Sequence, residues 1–334
     1  MSGVRHITVK ADDDNQRMDR WLKKQCEGVP FGLLQKLMRQ GQIRVDSKRV
    51  KPDTRLKEGQ IVRMPPMEDK DQKERRISKE DAAYIKSLVI YDDGDVLAIH
   101  KPSGLATQGG TGIKQHVDGL MDGLINHLGV RPRLVHRLDK DTSGVLLLAR
   151  SAEMARRLGK TFKGRDIQKI YWALVSPAPE MNNGEIRAPL LKSGVGDREK
   201  MVIDIEEGLP ATTLFDVMDR AHKQAAFIAF WPRTGRTHQI RAHAEHLGCP
   251  IVGDHKYGTR EYDHEHEYMD LEGVDIAQRL HLHAYSLTFR HPRTNKVITI
   301  QADLPKDLQK SWQVLGFDPH TKTTPFNDIK FEYR

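Results

Sequence analysis

The sequence predicts an α+β protein of about two domains. Strand-like runs such as Val96–Ile99 and Ile170–Val175 are interspersed with helical stretches such as Ala152–Phe162. The 334 residues, with 38% hydrophobic and 6% aromatic content, suffice for about two ordinary globular domains. Residues 1–64 carry 15 Lys and Arg against 8 Asp and Glu, whereas the remaining 270 residues carry 39 against 38. A small basic module therefore precedes a larger, nearly neutral domain.

The composition and the charge of the chain indicate some classes of protein and exclude others. A net charge of +8 and a pI near 9.3 indicate a polyanionic partner. No apolar run approaches the roughly 18 residues of a membrane span, and Met1–Asp14 lacks the regions of a signal peptide. Cys26 and Cys249 are too few for a disulfide framework and lack metal-binding spacing. We therefore expect a cytoplasmic protein without membrane contact.

Residues 16–64 predict two helices followed by a short β unit. Apolar residues recur at helical spacing in two places, Met18, Trp21 and Leu22, then Leu33, Leu34, Leu37 and Met38. Gly41 ends the second helix. Ile43 and Val45 then share one face of a strand, and Ile61–Met64 closes the unit.

The rest of the chain divides into three expected parts. Residues 65–83, which include the charged run Met67–Glu80, predict a flexible linker without an apolar face to bury. Residues 84–316 predict the larger domain, and 317–334 a tail without a motif. The elements expected in the larger domain are strand Val96–Ile99, helix Gly119–Gly129, strand Val145–Ala149, helix Ala152–Phe162 and strand Ile170–Val175.

An acidic residue interrupts an apolar pattern in the middle of the chain. Asp139 falls where a strand stops and a Thr-Ser-Gly turn begins, in the run His136-Arg137-Leu138-Asp139-Lys140-Asp141-Thr142-Ser143-Gly144. A lone Asp there commonly accepts N–H groups of its own turn. The run resembles the active-site motif of the RluA-type pseudouridine synthases at every fixed position. The resemblance implies that Asp139 is the catalytic aspartate, in a domain with a large mixed, mainly antiparallel sheet flanked by helices and loops.

Two further segments resemble motifs of the same family. Lys169–Val175 is similar to its Lys-x-Tyr-x-Ala-x-Val strand, which implies that Tyr171 lies against the target base; taken alone, Tyr171 would be a half-buried residue of a sheet. Thr234–His243 resembles the motif whose final arginine, here Arg241, pairs with the catalytic aspartate. Arginine suits that role because it stays charged and can bind a carboxylate through two hydrogen bonds.

The resemblance also implies contacts with RNA in the larger domain. Lys101, in the Lys-Pro-x-Gly motif of His100–Leu105, is given a structural or RNA-backbone role. Arg137 beside the aspartate would fill the stack that a flipped uridine vacates. Arg236, at a turn, is suited to a phosphate, and His136 is counted among the RNA-binding residues.

The first module resembles the S4 RNA-binding domain, and its expected extent is residues 1–64. In that family the second helix and the following turn present cations to phosphates. The cations in this position are Arg39, Arg44, Lys48, Arg49 and Lys51. Asp46 stands where the family usually has a neutral Asn, which brings a negative charge near the expected RNA face.

The implied chemistry needs no cofactor or metal. Pseudouridine formation breaks one glycosidic bond and rejoins the same base through C5, so nothing is oxidised, hydrolysed or consumed. No GxGxxG or Walker loop occurs in the sequence. Val50–Pro52 and the stretch from Ile251–Gly258 to Arg279–Ala284 most resemble the bacterial RluC-like synthases of large-subunit ribosomal RNA. This implies that the partner is that RNA or its assembly intermediates, bound by a monomer.

Several alternatives stay open at the level of residues. A zinc hydrolase would use the histidines, which include His238, His243, His246, His281 and His283, although no HExxH is present. Asp139 and Asp141 would form the carboxylate pair of a glycosidase. Cys249 would attack uracil C6 as a nucleophile. A transfer RNA substrate and a non-catalytic RNA-binding assembly factor complete the set.

Overall fold

The chain folds as two units, residues 1–76 and residues 77–334. A computed structural model describes residues 4–26, 29, 31–66, 77–110, 112–164, 166–194, 199–258, 274–323 and 325–326. Most of the charged run expected as a linker lies outside the described residues. The α+β class predicted from the sequence is confirmed.

The first unit packs two amphipathic helices against a small antiparallel sheet. The helices are α1 (Met18–Gln25) and α2 (Phe31–Arg39), and the strands, in the sheet order β1-β4-β2-β3, are β1 (Arg5–Thr8), β4 (Ile61–Met64), β2 (Arg44–Val45) and β3 (Lys48–Arg49). Trp21 and Leu22 of α1 and Leu34 and Met38 of α2 are buried together. Gly41 adopts a φ of +69°, which lets the chain turn sharply from α2 toward β2.

The second unit contains five helices and twelve strands among its described residues. The helices are α3 (Lys79–Ser87), α4 (Val117–Leu120), α5 (Ala152–Gly164), α6 (Gln239–His246) and α7 (Lys306–Val314). The strands are β5 (Val89–Asp92), β6 (Val96–Lys101), β7 (Arg133–Leu134), β8 (Ser143–Ala149), β9 (Ile167–Val175), β10 (Asn183–Arg187), β11 (Leu190–Ser193), β12 (Lys200–Ile203), β13 (Thr212–Ala221), β14 (Ala225–Pro232), β15 (Leu282–Arg290) and β16 (Val297–Gln301).

A ten-stranded sheet forms the centre of the second unit. Its main path is β10-β13-β14-β9-β15-β8-β6-β5, with β16 on β15 and β7 on β8. Among the described strands β8 and β15 run parallel and the other neighbours are antiparallel, as the sequence predicted. Gly144 lies opposite Ala284 at the parallel pair, where a Cβ would come within 2.2 Å of the Ala284 oxygen. The glycine of the Thr-Ser-Gly motif therefore permits the close approach of these two strands.

Both faces of the central strands are covered, which explains their nearly continuous apolar sequences. On β6, Leu97 and Ile99 pack with α3 and α4, whereas Val96 and Ala98 pack with α5. Strand β9 is likewise covered on both faces, by α6 and α7. The rigid sheet therefore fixes the loops that emerge at its edges.

One predicted helix is shorter than expected. Helix α4 and a following 3₁₀ turn end at Leu124, whereas the sequence suggested a helix over Gly119–Gly129. The Asn126 side chain accepts the N–H groups of Leu128 and Val130 at 3.0 and 2.9 Å. These local hydrogen bonds replace those of a continuing helix.

Helical or buried residues extend into both the expected linker and the expected tail. Helix α3 begins within the expected linker, and the Ser78 hydroxyl caps it by accepting the N–H of Asp81 at 2.9 Å. Phe317 and Phe326, in the expected tail, are buried against the core beside Trp312 of α7. No helix of the described ranges has both the length and the apolar character needed to cross a bilayer.

His281 and His283 lie fully buried in the second unit and are neutral. His281 contacts the Val252 carbonyl and the Ser311 hydroxyl at 3.1 and 2.9 Å. His283 contacts the Ser143 hydroxyl and the Ala302 carbonyl at 2.9 and 2.8 Å. Burial lowers the pKa of His281 to about 4 and that of His283 to about 3.

Stability should therefore fall as the solution is acidified below the ordinary histidine pKa. Between about pH 6.5 and 4 the unfolded chain binds protons that the folded chain excludes, so each ring contributes a slope approaching about 1.4 kcal/mol per pH unit. Urea denaturation between about pH 7 and 5 measures this slope. His281→Gln should remove one ring's contribution, whereas His320→Gln, at an exposed position, should not. A wild-type stability independent of pH over this range would contradict the prediction.

Candidate active site

Asp139 lies in a cleft of about 560 Å³ in the second unit. It occupies the loop between β7 and β8, just before a turn at Lys140 and Asp141, and its side chain is 22% exposed. The strand begins at Ser143, so this turn lies earlier than the Thr-Ser-Gly turn expected from the sequence. The cleft walls come from this loop, β9, the β14–α6 turn and α5.

The segment after β6 holds the backbone on both sides of Asp139. Thr107 exchanges two hydrogen bonds with Leu138, donating to its carbonyl at 2.7 Å and accepting its N–H at 3.2 Å. The Lys101 ammonium donates to the carbonyl of Lys140 at 3.0 Å. These bonds fix the loop independently of the Asp139 side chain.

Lys101 has a structural position, which is one of the two roles that the resemblance implied for it. Its side chain is fully buried, and its ammonium also donates to the carbonyls of Pro102 and Leu105, at 2.9 and 2.8 Å. Burial lowers its pKa to about 7, against the attraction of Asp141 and Asp139. Three carbonyl contacts use all three N–H groups of an ammonium, so none is left for a phosphate.

His136 is likewise engaged inside the protein. Its Nε2 accepts the N–H of Leu147 at 2.8 Å, and its ring stacks on Phe162 with centroids 4.5 Å apart. Burial and the nearby Lys169 ammonium lower its pKa to about 3. The ring therefore anchors the loop as a neutral group, and the expected RNA contact is reassigned to this structural role.

Strand β9 presents Tyr171 and Lys169 to the cleft. The two residues are two apart, so the alternation of a strand puts both side chains on the same face. Burial raises the pKa of Tyr171, and the Asp139 carboxylate raises it further. The phenol is therefore a neutral O–H group close to that carboxylate.

The turn before α6 is held by one buried glutamine. Gln239 accepts the Thr234 hydroxyl and the Arg236 N–H at 2.7 and 3.0 Å, and its amide donates to Thr212 and Thr213. This network exposes Gly235 and Arg236 at the rim of the cleft. The Arg236 side chain reaches the carbonyl of Pro210 at 3.3 Å.

Arg241 makes its direct ion pair with Asp254. The resemblance had implied Asp139 as its partner. Its Nε and Nη2 donate to the two carboxylate oxygens at 2.7 and 2.6 Å, and both side chains are buried. The Asp254 carboxylate also accepts the N–H groups of Lys256 and Tyr257. Burial opposes the charge of Arg241, but Asp254 and, at longer range, Asp139 raise its pKa overall.

His238 is the residue whose side chain faces Asp139 across the cleft. Its Nε2 lies 3.9 Å from Oδ2 of the carboxylate, and its Nδ1 lies 3.1 Å from the hydroxyl of Tyr257. Tyr257 is fully buried, and the Arg241 guanidinium lies 5.0 Å from the centre of its ring. His238, with Tyr257 and Arg241 beside it, thus faces Asp139 from the opposite wall of the cleft.

The cleft concentrates positive charge around one carboxylate. Asp139 is the acidic residue among the residues that line it, and the lining cations are Arg137, Lys163, Lys169, Arg233, Arg236 and Arg241. Arg137 is exposed, so its side chain is available to a ligand at the cleft mouth. Low-dielectric walls strengthen the field of such a set, which favours a polyanion that brings its reacting group to Asp139.

The cations expected in the first unit lie at its surface. Arg39, Lys48, Arg49 and Lys51 are exposed, and Arg44 is half buried because its Nε caps the end of α2 at the Gly41 carbonyl, 2.9 Å away. The Asp46 carboxylate accepts the N–H of Ile61 at 2.9 Å and the amide of Gln60 at 3.0 Å. This pairing inside the β unit accounts for an aspartate at that position.

The residues on which the alternative functions would depend are placed in the structure where those functions do not need them. His243 contacts the Thr213 hydroxyl at 2.8 Å and the Ala188 carbonyl at 2.9 Å, so both its nitrogens have protein partners, as do those of His281 and His283. Cys249 is buried in the core. Asp141 is exposed and does not line the cleft of Asp139. Zinc, thiol and carboxylate-pair chemistry therefore receive no support from this geometry.

Sequence reasoning missed the roles of Asp254, Tyr257 and His238. The sequence did contain a signal for them. Gly253, which suggests a tight turn, is followed directly by the carboxylate of Asp254 and soon after by the phenol of Tyr257. Gly253 has a φ of +73°, and a Cβ there would lie 2.0 Å from the Arg279 oxygen. The glycine thus marks a constrained turn that sets both side chains under α6.

Residues 95–246 match the profile of the RNA pseudouridylate synthase family. The chain is 37% identical over 319 residues to the ribosomal large subunit pseudouridine synthases C of Salmonella typhi and Escherichia coli K12, covering 93% of this chain and 97% of each relative. The solved human RNA pseudouridylate synthase domain containing 4 is 27% identical with a TM-score of 0.58, covering 71% of this chain and 97% of the human chain. The chain therefore belongs to the RluA-type family of RNA pseudouridine synthases, which are isomerases.

Proposed function

We propose that this enzyme isomerises specific uridines of large-subunit ribosomal RNA and that Asp139 is its catalytic carboxylate. The observation that carries the proposal is the position of Asp139, as the acidic residue of a cleft lined by six Lys and Arg side chains. The relatives named for the large ribosomal subunit support this RNA as the substrate. We assign a monomer that acts on this RNA or on one of its assembly intermediates.

The reaction assigns separate tasks to the cleft residues. The N1–C1′ bond breaks, the uracil turns, and a C5–C1′ bond forms, while C5 loses one proton and N1 gains one. Asp139 supplies the carboxylate that acts against the ribose or the uracil. Tyr171 stacks on the base and offers its hydroxyl for proton exchange, and Arg241 contributes positive charge from its pair with Asp254.

The rim residues receive the RNA strand. The target uridine must leave its stack to reach Asp139, and the exposed Arg137 is placed to fill the gap. Arg236 and the half-buried Lys169 contact phosphates on either side of the flipped nucleotide. Lys163 of α5 extends this basic rim.

The first unit serves as an S4-like anchor on structured RNA. Two helices followed by a β unit, with exposed cations at the end of α2 and on the β2–β3 hairpin, support this role. We assign anchoring to residues 1–64, linkage to 65–83, catalysis to 84–316, and no separate activity to 317–334. Anchoring by phosphate contacts holds the enzyme on its RNA while the second unit captures the uridine.

Lys48→Ala combined with Arg49→Ala should weaken RNA binding and make it less sensitive to salt. Each lost phosphate contact lowers the magnitude of the slope of log affinity against log salt by about 0.7 to 0.9, so the double variant should lose about 1.4 to 1.8. Filter binding to a large-subunit RNA fragment over a range of salt concentrations measures the slope. Lys57→Ala, exposed in the same unit but outside the basic hairpin, serves as control. An unchanged slope in the double variant would contradict the anchoring role.

The activity itself is tested with RNA carrying tritium at uridine C5. Because C5 loses its hydrogen when the new bond forms, each turnover releases tritium to water. We expect the purified enzyme to release tritium from a large-subunit ribosomal RNA transcript and not from a transfer RNA transcript. Release from transfer RNA alone would overturn the proposed substrate, and release from neither, with binding retained, would favour an RNA-binding assembly factor.

A further inference from the structure

His238 is held in a conformation that few residues other than glycine adopt. It directly precedes α6 with a φ of 49° and a ψ of 21°, in the left-handed region, and its side chain is 18% exposed. Non-glycine residues with such backbone angles concentrate at functional sites. This conformation places the ring between Tyr257 and Asp139, with one nitrogen toward each.

The hydrogen bonds around Tyr257 determine which nitrogen of His238 carries the proton. The backbone N–H of Met201 donates to the Tyr257 hydroxyl at 2.8 Å, so the oxygen already serves as an acceptor. Within the described part of the chain, His238 Nδ1, at 3.1 Å, is the remaining partner for the Tyr257 O–H. Tyr257 therefore donates to Nδ1, which places the proton of the neutral ring on Nε2.

The surroundings of His238 favour a neutral ring, chiefly because the ring is buried. Burial lowers the pKa of His238, and Arg241 and Lys256 lower it further, whereas Asp139 and Asp254 act in the opposite direction. Near neutral pH the ring thus offers one uncharged N–H group, on Nε2. That N–H faces the Asp139 carboxylate.

We propose that His238 is a positioning residue for Asp139, with Tyr257 fixing the tautomer in which Nε2–H points to Oδ2. The inference rests on the proposed catalytic role of Asp139. The 3.9 Å between Nε2 and Oδ2 exceeds a hydrogen bond in the free enzyme. Bound uridine closes this gap, as catalytic hydrogen bonds commonly tighten on binding. One carboxylate oxygen is then held by His238, and the other is left to face the reacting nucleotide.

The kinetic test compares a variant that removes the N–H group of His238 with a variant that replaces the ring but keeps an N–H group. His238→Ala should lower kcat by about 10- to 100-fold, by analogy with the loss of a group that orients a metal ligand, with KM and RNA affinity changed less than about twofold. Gln can place an amide N–H near the position of Nε2, so His238→Gln should recover part of the lost kcat. His246→Gln, exposed on the same helix, should keep the full kcat.

A spectroscopic test reads the tautomer directly. Nitrogen-15 NMR of ring-labelled protein, with the His238 signal assigned by its loss in His238→Gln, should show the proton on Nε2 in the wild type and a mixture in Tyr257→Phe. A proton on Nδ1 in the wild type would overturn the proposal, as would an unchanged kcat in His238→Ala. If the alanine variant fails to fold, the NMR result decides alone.

Asp139→Asn separates this inference from the proposed function. An inactive Asp139→Asn enzyme beside a fully active His238→Ala enzyme would remove only the role of His238. Full activity in Asp139→Asn would instead remove the proposed catalytic residue itself.

Discussion

Asp139→Asn should reduce the rate of pseudouridine formation by about 10²- to 10⁴-fold, the range typical of a lost acid–base group, and by more if the carboxylate bonds covalently to the nucleotide. The amide keeps the size of the side chain but removes the negative charge that the cations of the cleft surround. RNA affinity should stay within about threefold, because phosphate contacts dominate binding. The loop should also keep its shape, since Thr107 and Lys101 hold its backbone.

Single-turnover tritium release with saturating enzyme measures this effect on the chemical step. Asp141→Asn is the matched control, because Asp141 is two residues away, exposed and outside the cleft lining. It should retain the wild-type rate within about threefold. Equal losses in the two variants would indicate a general disturbance of the loop and would contradict a specific role for Asp139.

Asp254→Asn should destabilise the second unit by about 3 to 5 kcal/mol, the usual effect of removing one member of a buried ion pair. Asp254 is completely buried, binds Arg241 through both oxygens, and accepts two backbone N–H groups of its own turn. The substitution leaves the Arg241 charge buried without its partner. Activity should fall as well, because Arg241 and Tyr257 pack together beside His238.

Urea denaturation followed by circular dichroism gives the change in the free energy of unfolding. Lys310→Ala breaks an exposed ion pair with Asp275 and should cost less than about 1 kcal/mol. Arg241→Met should be less destabilising than Arg241→Ala, because it keeps apolar contact with Tyr257. A loss below about 1 kcal/mol in Asp254→Asn would show that the pair does not hold α6 to the turn.

Local patterns in the sequence were sufficient for the types of the elements that they predicted and for the position of Asp139 in a loop. Periodicity predicted α5 and β9, because each places its apolar residues on faces that the sheet buries. Alternation on β9 also explains why Lys169 and Tyr171 line the same cleft. The Asp139 motif was recognisable for a related reason. It combines an exposed turn with a glycine, and the close pairing of β8 with β15 requires a glycine at that position.

Those local patterns could not predict contacts between side chains and partners that are distant in sequence. Arg241 was expected to bind Asp139, but the carboxylate that reaches its guanidinium is Asp254, brought under α6 by the turn at Gly253. Lys101 follows a buried strand, and its motif gave no sign that three carbonyls would enclose its ammonium. Such choices depend on tertiary geometry, because several charged groups compete for each partner within a few ångströms.

The central claim is that this chain makes pseudouridine in large-subunit ribosomal RNA through Asp139. Its most direct test is pseudouridine mapping, by carbodiimide adducts and primer extension, on RNA from cells with the gene intact, deleted, or carrying Asp139→Asn. We predict that the same defined uridines of the large-subunit RNA lose modification in both altered strains. Modification that persists at every site in the deletion strain, or that is retained in the Asp139→Asn strain, would contradict the claim.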